Sequence, residues 1–294
     1  MTDTGVDVFE EHRARLWAVA YRLTGSAADA EDAVQETWVR WQTLPVRSEP
    51  VRDPRAFLTT VVSRICYDQL GSARARRETY PGPWLPEPVV TEGGPEDRVA
   101  LDESVGFAVL KVLEQLSPAE RTAFVLHDVF AVPFNEIAEV VDRTPDAVRQ
   151  HASRARKRVR EEAPRRPVDQ AEHRQAVEAF LAAAVAGDFD ALLNVLDPDV
   201  EWRSDGGGKV VAARVPVLGR EKVAAMIVRL VRNGTFENAR FGLREINGAP
   251  GLLFYAPERD YPGVAAFEVR EGRISCLNIV ANPDKLRHLD LRSL

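Results

Sequence analysis

The stretch from Thr144 to Arg160 (Thr-Pro-Asp-Ala-Val-Arg-Gln-His-Ala-Ser-Arg-Ala-Arg-Lys-Arg-Val-Arg) constrains this chain more than any other. It opens as a helix must. Thr144 supplies a cap, Pro145 suits the first helical position, and Asp146 complements the positive end of the helix dipole. Val148, Ala152, Ala155 and Val159 then recur at the spacing of one helical face. Arg149, Gln150, Ser153, Arg156, Lys157 and Arg160 occupy the opposite face. A thin apolar back and a front of cations and amides suit a DNA major groove. The preceding Phe134 to Val141 reads as a short amphipathic helix, with Asp142-Arg143-Thr144 as a turn, so the whole is a helix-turn-helix. Arg149 and Gln150 are placed to reach base edges, and Arg156, Lys157 and Arg160 to meet phosphates.

The chain has 294 residues, enough for two or three domains with separate cores. Its formal net charge of −6 argues against a general polyanion binder, so the distribution of charge matters more than its sum. Cations gather at Arg74 to Arg77 and from Arg149 to Arg166, whereas Glu87 to Glu103 is almost wholly acidic. A basic DNA-facing surface on an acidic protein follows. Cys66 and Cys276 stand far apart and outside any metal-ligand spacing, which predicts packed thiols, no metal and no cofactor. Without a signal-peptide core or a membrane-length apolar run, the expected location is the cytoplasm, with no membrane partner.

Residues 6–77 read as helices: one ending near Gly25, one from Ser26 to about Gln42, and one from Arg55 to Leu70 after a Pro45–Pro54 loop. Residues 80–98, rich in proline and glycine, read as a linker unable to sustain a helix or a central strand. Helices resume from about Glu96 to Glu162, and Pro164 to Pro167 marks the next break. Beyond it, helices at Val168–Ala186 and Phe189–Leu196 lead to strands at Val200–Ser204 and near Val210–Val217, then a helix at Arg220–Arg232. Alternating strands close the chain at Phe236–Ile246, Leu252–Ala256, Val264–Val269 and Ile274–Val280. Helices followed by a strand meander predict an α+β domain, its curved sheet wrapped over helices.

In the second helix Asp29, Asp32 and Glu36 share one face beside Gln35, and Val34, Trp38 and Trp41 lie nearly opposite. On residues alone this is either a solvated acidic face or a docking ridge for a basic partner. The acidic helix with its tryptophan, the Asp53–Leu70 helix and the Ser72–Arg77 tail resemble region 2 of the extracytoplasmic-function sigma factors of the sigma-70 family. Leu116 to Leu126 (Leu-Ser-Pro-Ala-Glu-Arg-Thr-Ala-Phe-Val-Leu) with the helix-turn-helix resembles their region 4. The resemblance implies two all-α sigma domains, residues 1–79 and 99–163, that bind core RNA polymerase and direct it to promoter DNA. It implies that Asp29, Asp32, Gln35 and Glu36 grip the polymerase. It places Arg64, Asp68, Gln69, Arg74, Arg76 and Arg77 at the minus-ten element, and the helix from Pro145 at the minus-thirty-five element. The Pro45–Pro54 loop falls at the family's base-capture site, although it holds no aromatic residue. Melting energy must come from binding, since no nucleotide-hydrolysing loop is present.

Residues 168–294 resemble the SnoaL-like domain, an α+β cone shared with nuclear transport factor 2. Trp84-Leu-Pro-Glu-Pro88, Asp205-Gly-Gly-Gly-Lys209 and Asn282-Pro-Asp-Lys-Leu286 resemble signatures of the sigma-factor subgroup that carries this domain. That resemblance implies a built-in regulator in place of a separate anti-sigma factor, with contacts through Trp84, Pro86, Asp205, Lys209, Asn282, Asp284 and Lys285. Tethering at roughly mM effective concentration lets weak contacts hold one arrangement. On residues alone, Trp84 equally reads as a cover for its own linker, the glycine run as a flexible turn, and Asn282–Leu286 as a strand end. The alternative function is a DNA-binding regulator whose cone domain senses a small-molecule ligand or, as a further branch, catalyses. His173, His288, Asp199, Glu201 and Asp205 are its candidate acids and bases, but no pair has a spacing that compels catalysis, so no enzyme activity and no catalytic residue is expected.

Overall fold

The computed structural model describes residues 3–43, 51–91, 106–162, 169–289, 291 and 294. They fall into two compact units: Met1–Glu78 with Pro95–Val105 and Val109–Ala163, and Thr79–Gly94 with Gly106–Ala108 and Pro164–Leu294. The Pro45–Pro50 part of the expected capture loop, residues 92–98 of the expected linker, residues 96–105 at the expected resumption of helices and the Pro164–Pro167 break lie outside the described residues, as do the side chains of Arg74, Arg76 and Arg77.

The first unit is helical. Helices α1 (Asp3–Thr24), α2 (Ala27–Gln42) and α3 (Pro54–Glu78) pack mutually. The Ser26 hydroxyl caps α2 by accepting the Asp29 N–H at 3.0 Å. Leu16, Val19 and Leu23 of α1, Ala33 and Val34 of α2, and Leu58, Val62 and Cys66 of α3 are each buried where these helices pack. A fully buried side chain of this size contributes about 1.5–3 kcal/mol. Burial pushes the Cys66 thiol up to about 12, so it stays protonated and inert, as expected of a packed thiol. Helix α3 continues eight positions past Leu70, because Gly71 keeps ordinary backbone angles and good helix formers follow it.

Helices α4 (Phe107–Leu113) and α5 (Pro118–Phe124) lead into a π-helical turn over Val125–Val129. A capping box starts α5: Ser117 accepts the Glu120 N–H while Glu120 accepts the Ser117 N–H. Helices α6 (Phe134–Val141) and α7 (Pro145–Glu162) follow. Asp142 between them takes the left-handed conformation at φ 50°, which stops α6 and sets the turn.

The second unit is built on a mixed seven-stranded sheet in the order β1-β4-β5-β6-β7-β2-β3. Its strands are β1 (Val90–Thr91), β2 (Leu196–Asp205), β3 (Val217–Leu218), β4 (Arg240–Ile246), β5 (Ala249–Ala256), β6 (Tyr261–Arg270) and β7 (Arg273–Val280). Among the described strands the β2–β7 pairing is parallel and the other five are antiparallel. Helices α8 (Gln170–Ala186), α9 (Phe189–Val195) and α10 (Arg220–Arg232) close a core with one sheet face through Phe180, Leu192, Val223, Ile227, Phe254, Phe267 and Leu277. A smaller core joins Leu85, Phe107, Ile246, Val264, Val280 and Leu286. Asn247-Gly248, with φ 50° and 81°, makes the tight β4–β5 turn that the dipeptide predicts.

Two expectations about strands need correction. The strand near Val210–Val217 is reduced to Val217–Leu218: Pro216 stands just before it, and Val211 and Val215 are 95% and 70% exposed with no neighbouring strand to pair. The strand from Phe236 starts only at Arg240, because Thr235 N–H turns back to the Leu230 carbonyl and Asn238 sits at φ 52°. The proline-rich linker, expected to hold no helix or central strand, contributes the two-residue edge strand β1, pairing Val90 with Ile246.

Candidate nucleic-acid interface and a buried clasp

In the helix-turn-helix, α7 buries Val148, Ala152 and Ala155 against α5 and α6, and α6 buries Ile137, Ala138, Val140 and Val141. Val159 is half-buried. The Ala147 N–H reaches the Thr144 hydroxyl at 3.3 Å, so Thr144 does cap. Arg149, Gln150, Ser153, Lys157 and Arg160 are exposed along one side of α7. Arg156 is half-buried and bonds Asp128 through Nε at 2.6 Å. This cationic helix front is the shape and charge that fit a major groove.

The acidic ridge on α2 presents Asp32, Gln35 and Glu36 to solvent, with Asp29 half-buried at its start. Glu36 pairs with Arg40 on the next turn. Behind the ridge, Trp38 packs on Phe9 with ring centres 4.8 Å apart, and the Trp41 indole N–H donates to the Gly5 carbonyl. On α3, Arg64 and Asp68 are exposed and Gln69 is half-buried. Arg64 donates through Nη2 to the Glu139 carbonyl of α6 at 2.7 Å, an engagement the sequence pattern did not foretell. The same unit contains a buried arginine lock. Arg121, 1% exposed, donates to the Arg22 carbonyl and pairs with Glu114 at 2.6 Å.

In the second unit the three short tracts converge on one carboxylate. Asp205, at the end of β2, is 1% exposed, yet its oxygens accept from the Tyr80 hydroxyl at 2.6 Å, the Leu85 N–H at 2.9 Å and the Gly207 N–H at 3.0 Å. The Lys285 ammonium pairs with it at 2.8 Å and also donates to the Leu85 carbonyl. That ammonium lies 3.7 Å from the centre of the Trp84 ring, a cation–π contact. Asn282 donates through Nδ2 to the Tyr80 oxygen at 2.8 Å. Burial and then the Asp205 carboxylate push the Tyr80 phenol upward, so it stays a donor.

Rim contacts extend the cluster. Lys209 bonds Asp284 at 2.5 Å, and this hydrogen bond leads the forces that hold the Asp284 carboxyl below the ordinary range. The Pro88 carbonyl bonds His288 Nε2 at 2.9 Å, and Val89 exchanges hydrogen bonds with Asn247. Leu85, Pro86, Glu87 and Pro88 are all buried. The glycine run is a packed turn. A Cβ on Gly207 would stand 2.4 Å from Asn282, and one on Gly208 2.8 Å from Pro81. Trp84, Asp205, Lys209, Asn282, Asp284 and Lys285 are therefore linked in one cluster, and Pro86 is buried next to Leu85. Sequence reading missed Tyr80 as the partner of Asp205 and Asn282, and His288 and Asn247 as the partners of Pro88 and Val89. The polar side chains in an otherwise proline-rich or turn context were the available signal.

Among the described residues, no group of His, Cys, Asp or Glu side chains is arranged to hold a metal ion, and no helix is long and apolar enough to cross a membrane.

Comparison with known proteins agrees with this layout. Residues 8–76 match the model of Sigma-70 region 2, residues 106–159 that of Sigma-70 region 4, and residues 177–277 that of the SnoaL-like domain. The chain is 44% identical to the ECF RNA polymerase sigma factor SigJ of Mycobacterium tuberculosis, over 95% of this chain and 92% of that protein. It is 35% identical to the probable ECF RNA polymerase sigma factor SigI of the same species, over 94% of this chain and 92% of the relative. The crystal structure of M. tuberculosis SigJ superposes with a TM-score of 0.79 at 43% identity, covering 97% of this chain and 99% of that one.

Proposed function

Given that this chain belongs to the extracytoplasmic-function sigma factors of the sigma-70 family, proteins of promoter-directed transcription initiation, we propose that its C-terminal domain governs initiation by clasping the segment between the two sigma regions. The observation that carries this is the Asp205 cluster. Residues Tyr80 to Thr91 follow region 2 in the chain, yet they are bound as part of the SnoaL-like unit.

The consequence is a matter of reach. The minus-ten and minus-thirty-five elements lie roughly 25 base pairs apart, ~85 Å at 3.4 Å per pair. Regions 2 and 4, by contrast, touch through Arg64 and Glu139 and through Arg121 and Arg22. Binding both elements at once requires these regions to separate. The clasped segment withholds about a dozen residues, ~40 Å of extended chain at about 3.3–3.6 Å per residue. Its release lengthens the tether, and its capture shortens it. In this reading the regulator is carried in the same chain, and a separate anti-sigma factor is not required.

Within this scheme Asp29, Asp32, Gln35 and Glu36 dock core polymerase, where charge sets orientation and on-rate. Arg64, Asp68, Gln69, Arg74, Arg76 and Arg77 engage the minus-ten element, and α7 reads the minus-thirty-five element through Arg149 and Gln150 with Ser153, Arg156, Lys157 and Arg160 on the backbone.

The test is run-off transcription with core polymerase free of any other sigma factor. Promoter-specific product from the intact chain is expected, with loss of product and of polymerase association when Asp32 and Glu36 become lysine. Opening the clasp with Asp205→Ala is expected to change promoter output at least severalfold while polymerase association is kept. Output equal to that of the unaltered protein would sink the regulatory reading and leave the initiation role standing.

A further inference from the structure

We infer that Phe134 and His127 are positioning residues for promoter reading: they form an aromatic platform that aims Arg149 at a guanine of the upstream element. The inference rests on the proposed role of α7 as the recognition helix.

The platform is built from three observations. Phe134, the first residue of α6, stacks on the His127 ring with centres 3.8 Å apart and planes 26° from parallel. The Arg149 guanidinium lies over the same Phe134 ring, 5.6 Å from its centre. Asp146, one turn earlier on α7, pairs with the same guanidinium. Arg149 is thus held between an aromatic face and a carboxylate while its side chain remains 57% exposed. A long exposed arginine otherwise samples many rotamers, and the ordering cost falls on binding.

The backbone behind the platform is unusual. His127 sits inside the π-helical turn Val125–Val129 rather than in a regular helix. Such turns are rare and occur frequently at functional sites. Ala131 then takes φ 56°, a left-handed angle uncommon for alanine. The Val132 N–H returns to the Leu126 carbonyl at 2.9 Å, and this brings the Val132 carbonyl to 3.0 Å from His127 Nδ1. A carbonyl only accepts, so Nδ1 carries the proton and the ring is fixed in plane. The wide turn and the left-handed residue together rotate the imidazole under Phe134. An ordinary helix would have no reason to spend a bulge here.

The chemistry points to one base. The planar fork of arginine matches O6 and N7 of guanine in the major groove, the commonest specific contact of this kind. Fixing the fork sharpens selection at that base pair without adding a phosphate contact. A stacking contribution at an exposed site corresponds to about a two- to fivefold gain in discrimination, within the larger factor of about five to 150 from the bidentate contact itself.

The experiment uses holoenzyme made from core polymerase and the full chain, selecting bound duplexes from a randomised double-stranded DNA library at fixed salt. Wild type should enrich a motif containing a guanine whose preference Arg149→Ala abolishes. Phe134→Leu, which keeps an apolar side chain, should weaken that same position two- to fivefold and no other. Phe134→Tyr should restore it. The salt dependence of binding should be unchanged by Phe134→Leu, since no phosphate contact is lost. Equal weakening at every position, no change at the Arg149 position, or failure of Phe134→Tyr to restore would each overturn the platform. If instead Arg149→Ala relaxes no position, the recognition-helix reading itself falls, and the platform with it.

Discussion

Asp205 and Lys285 form an ion pair removed from water, and such a pair is weak evidence of stability by itself. Its value lies in the cost of breaking it. Removing one partner leaves a buried charge exposed to a low-dielectric surrounding, typically at about 3–5 kcal/mol. Lys285→Met should therefore loosen the Tyr80–Thr91 segment, read as faster hydrogen exchange at the Leu85 and Val89 amides with β6 and β7 protected as before. Unaltered exchange at those amides would remove the pair from the clasp. His173 of α8 offers a second residue-scale outcome. Burial holds its imidazole below the ordinary value of 6.5, and its Nε2 is buried without a hydrogen-bond partner among the described residues. The unfolded chain then binds a proton first as pH falls, so stability present above about 6.5 declines below it. Urea unfolding of the intact protein between pH 7.5 and 5.5 should show this decline, and His173→Gln should flatten it.

At the scale of elements, some segments were plain in the sequence and others were not, and the division follows from local against long-range physics. The ends of α10 at Arg220 and Arg232 were foreseen because amphipathic spacing decides a surface helix by itself. The helix-turn-helix was equally legible, since cap, turn and stripe are local signals that agree. Strand β1 was invisible because two residues gain their structure only from Ile246 and Glu245, far along the chain. Val210–Val215 carried strand-like residues but found no partner strand. The acidic ridge and the cationic front of α7 could be assigned to faces, whereas the capture of Arg64 by the Glu139 carbonyl depends on packing that periodicity does not encode. Element geometry also separates the cations of α7. Lys157 and Arg160 are exposed, and each should steepen the salt dependence of promoter binding by about 0.9 in the log–log slope. Arg156 is already bonded to Asp128, so Arg156→Ala should lower the slope by less than Lys157→Ala. Equal losses from the two substitutions would show that Asp128 releases its arginine on DNA.

For the whole molecule, the decisive quantity is how readily regions 2 and 4 separate. Their contact includes buried arginine groups. Arg121 holds Glu114 and the Arg22 carbonyl, Arg15 donates to the Phe130 carbonyl at 3.0 Å, and the Arg15 and Arg22 guanidinium carbons lie 5.1 and 5.3 Å from the Phe130 ring centre. Hydrogen-bonded arginine contacts of this kind have good alternatives in water or on phosphate, so separation costs less than opening an apolar core of equal size. Arg64→Ala removes one bridge to region 4 and also one cation proposed for the minus-ten element, so its consequences are mixed. Phe130→Ala removes the two ring contacts, keeps the backbone carbonyl that accepts from Arg15, and takes away no cation. Phe130→Ala should therefore raise the population with regions 2 and 4 apart, seen as a longer mean distance between spin labels on exposed positions of α2 and α7, and should leave polymerase association unchanged. Combined with Asp205→Ala, it should extend that distance further than either change alone, because one substitution frees the contact and the other frees the tether. Distances that fail to increase in the double variant would mean that something other than tether length limits how far the two regions can part.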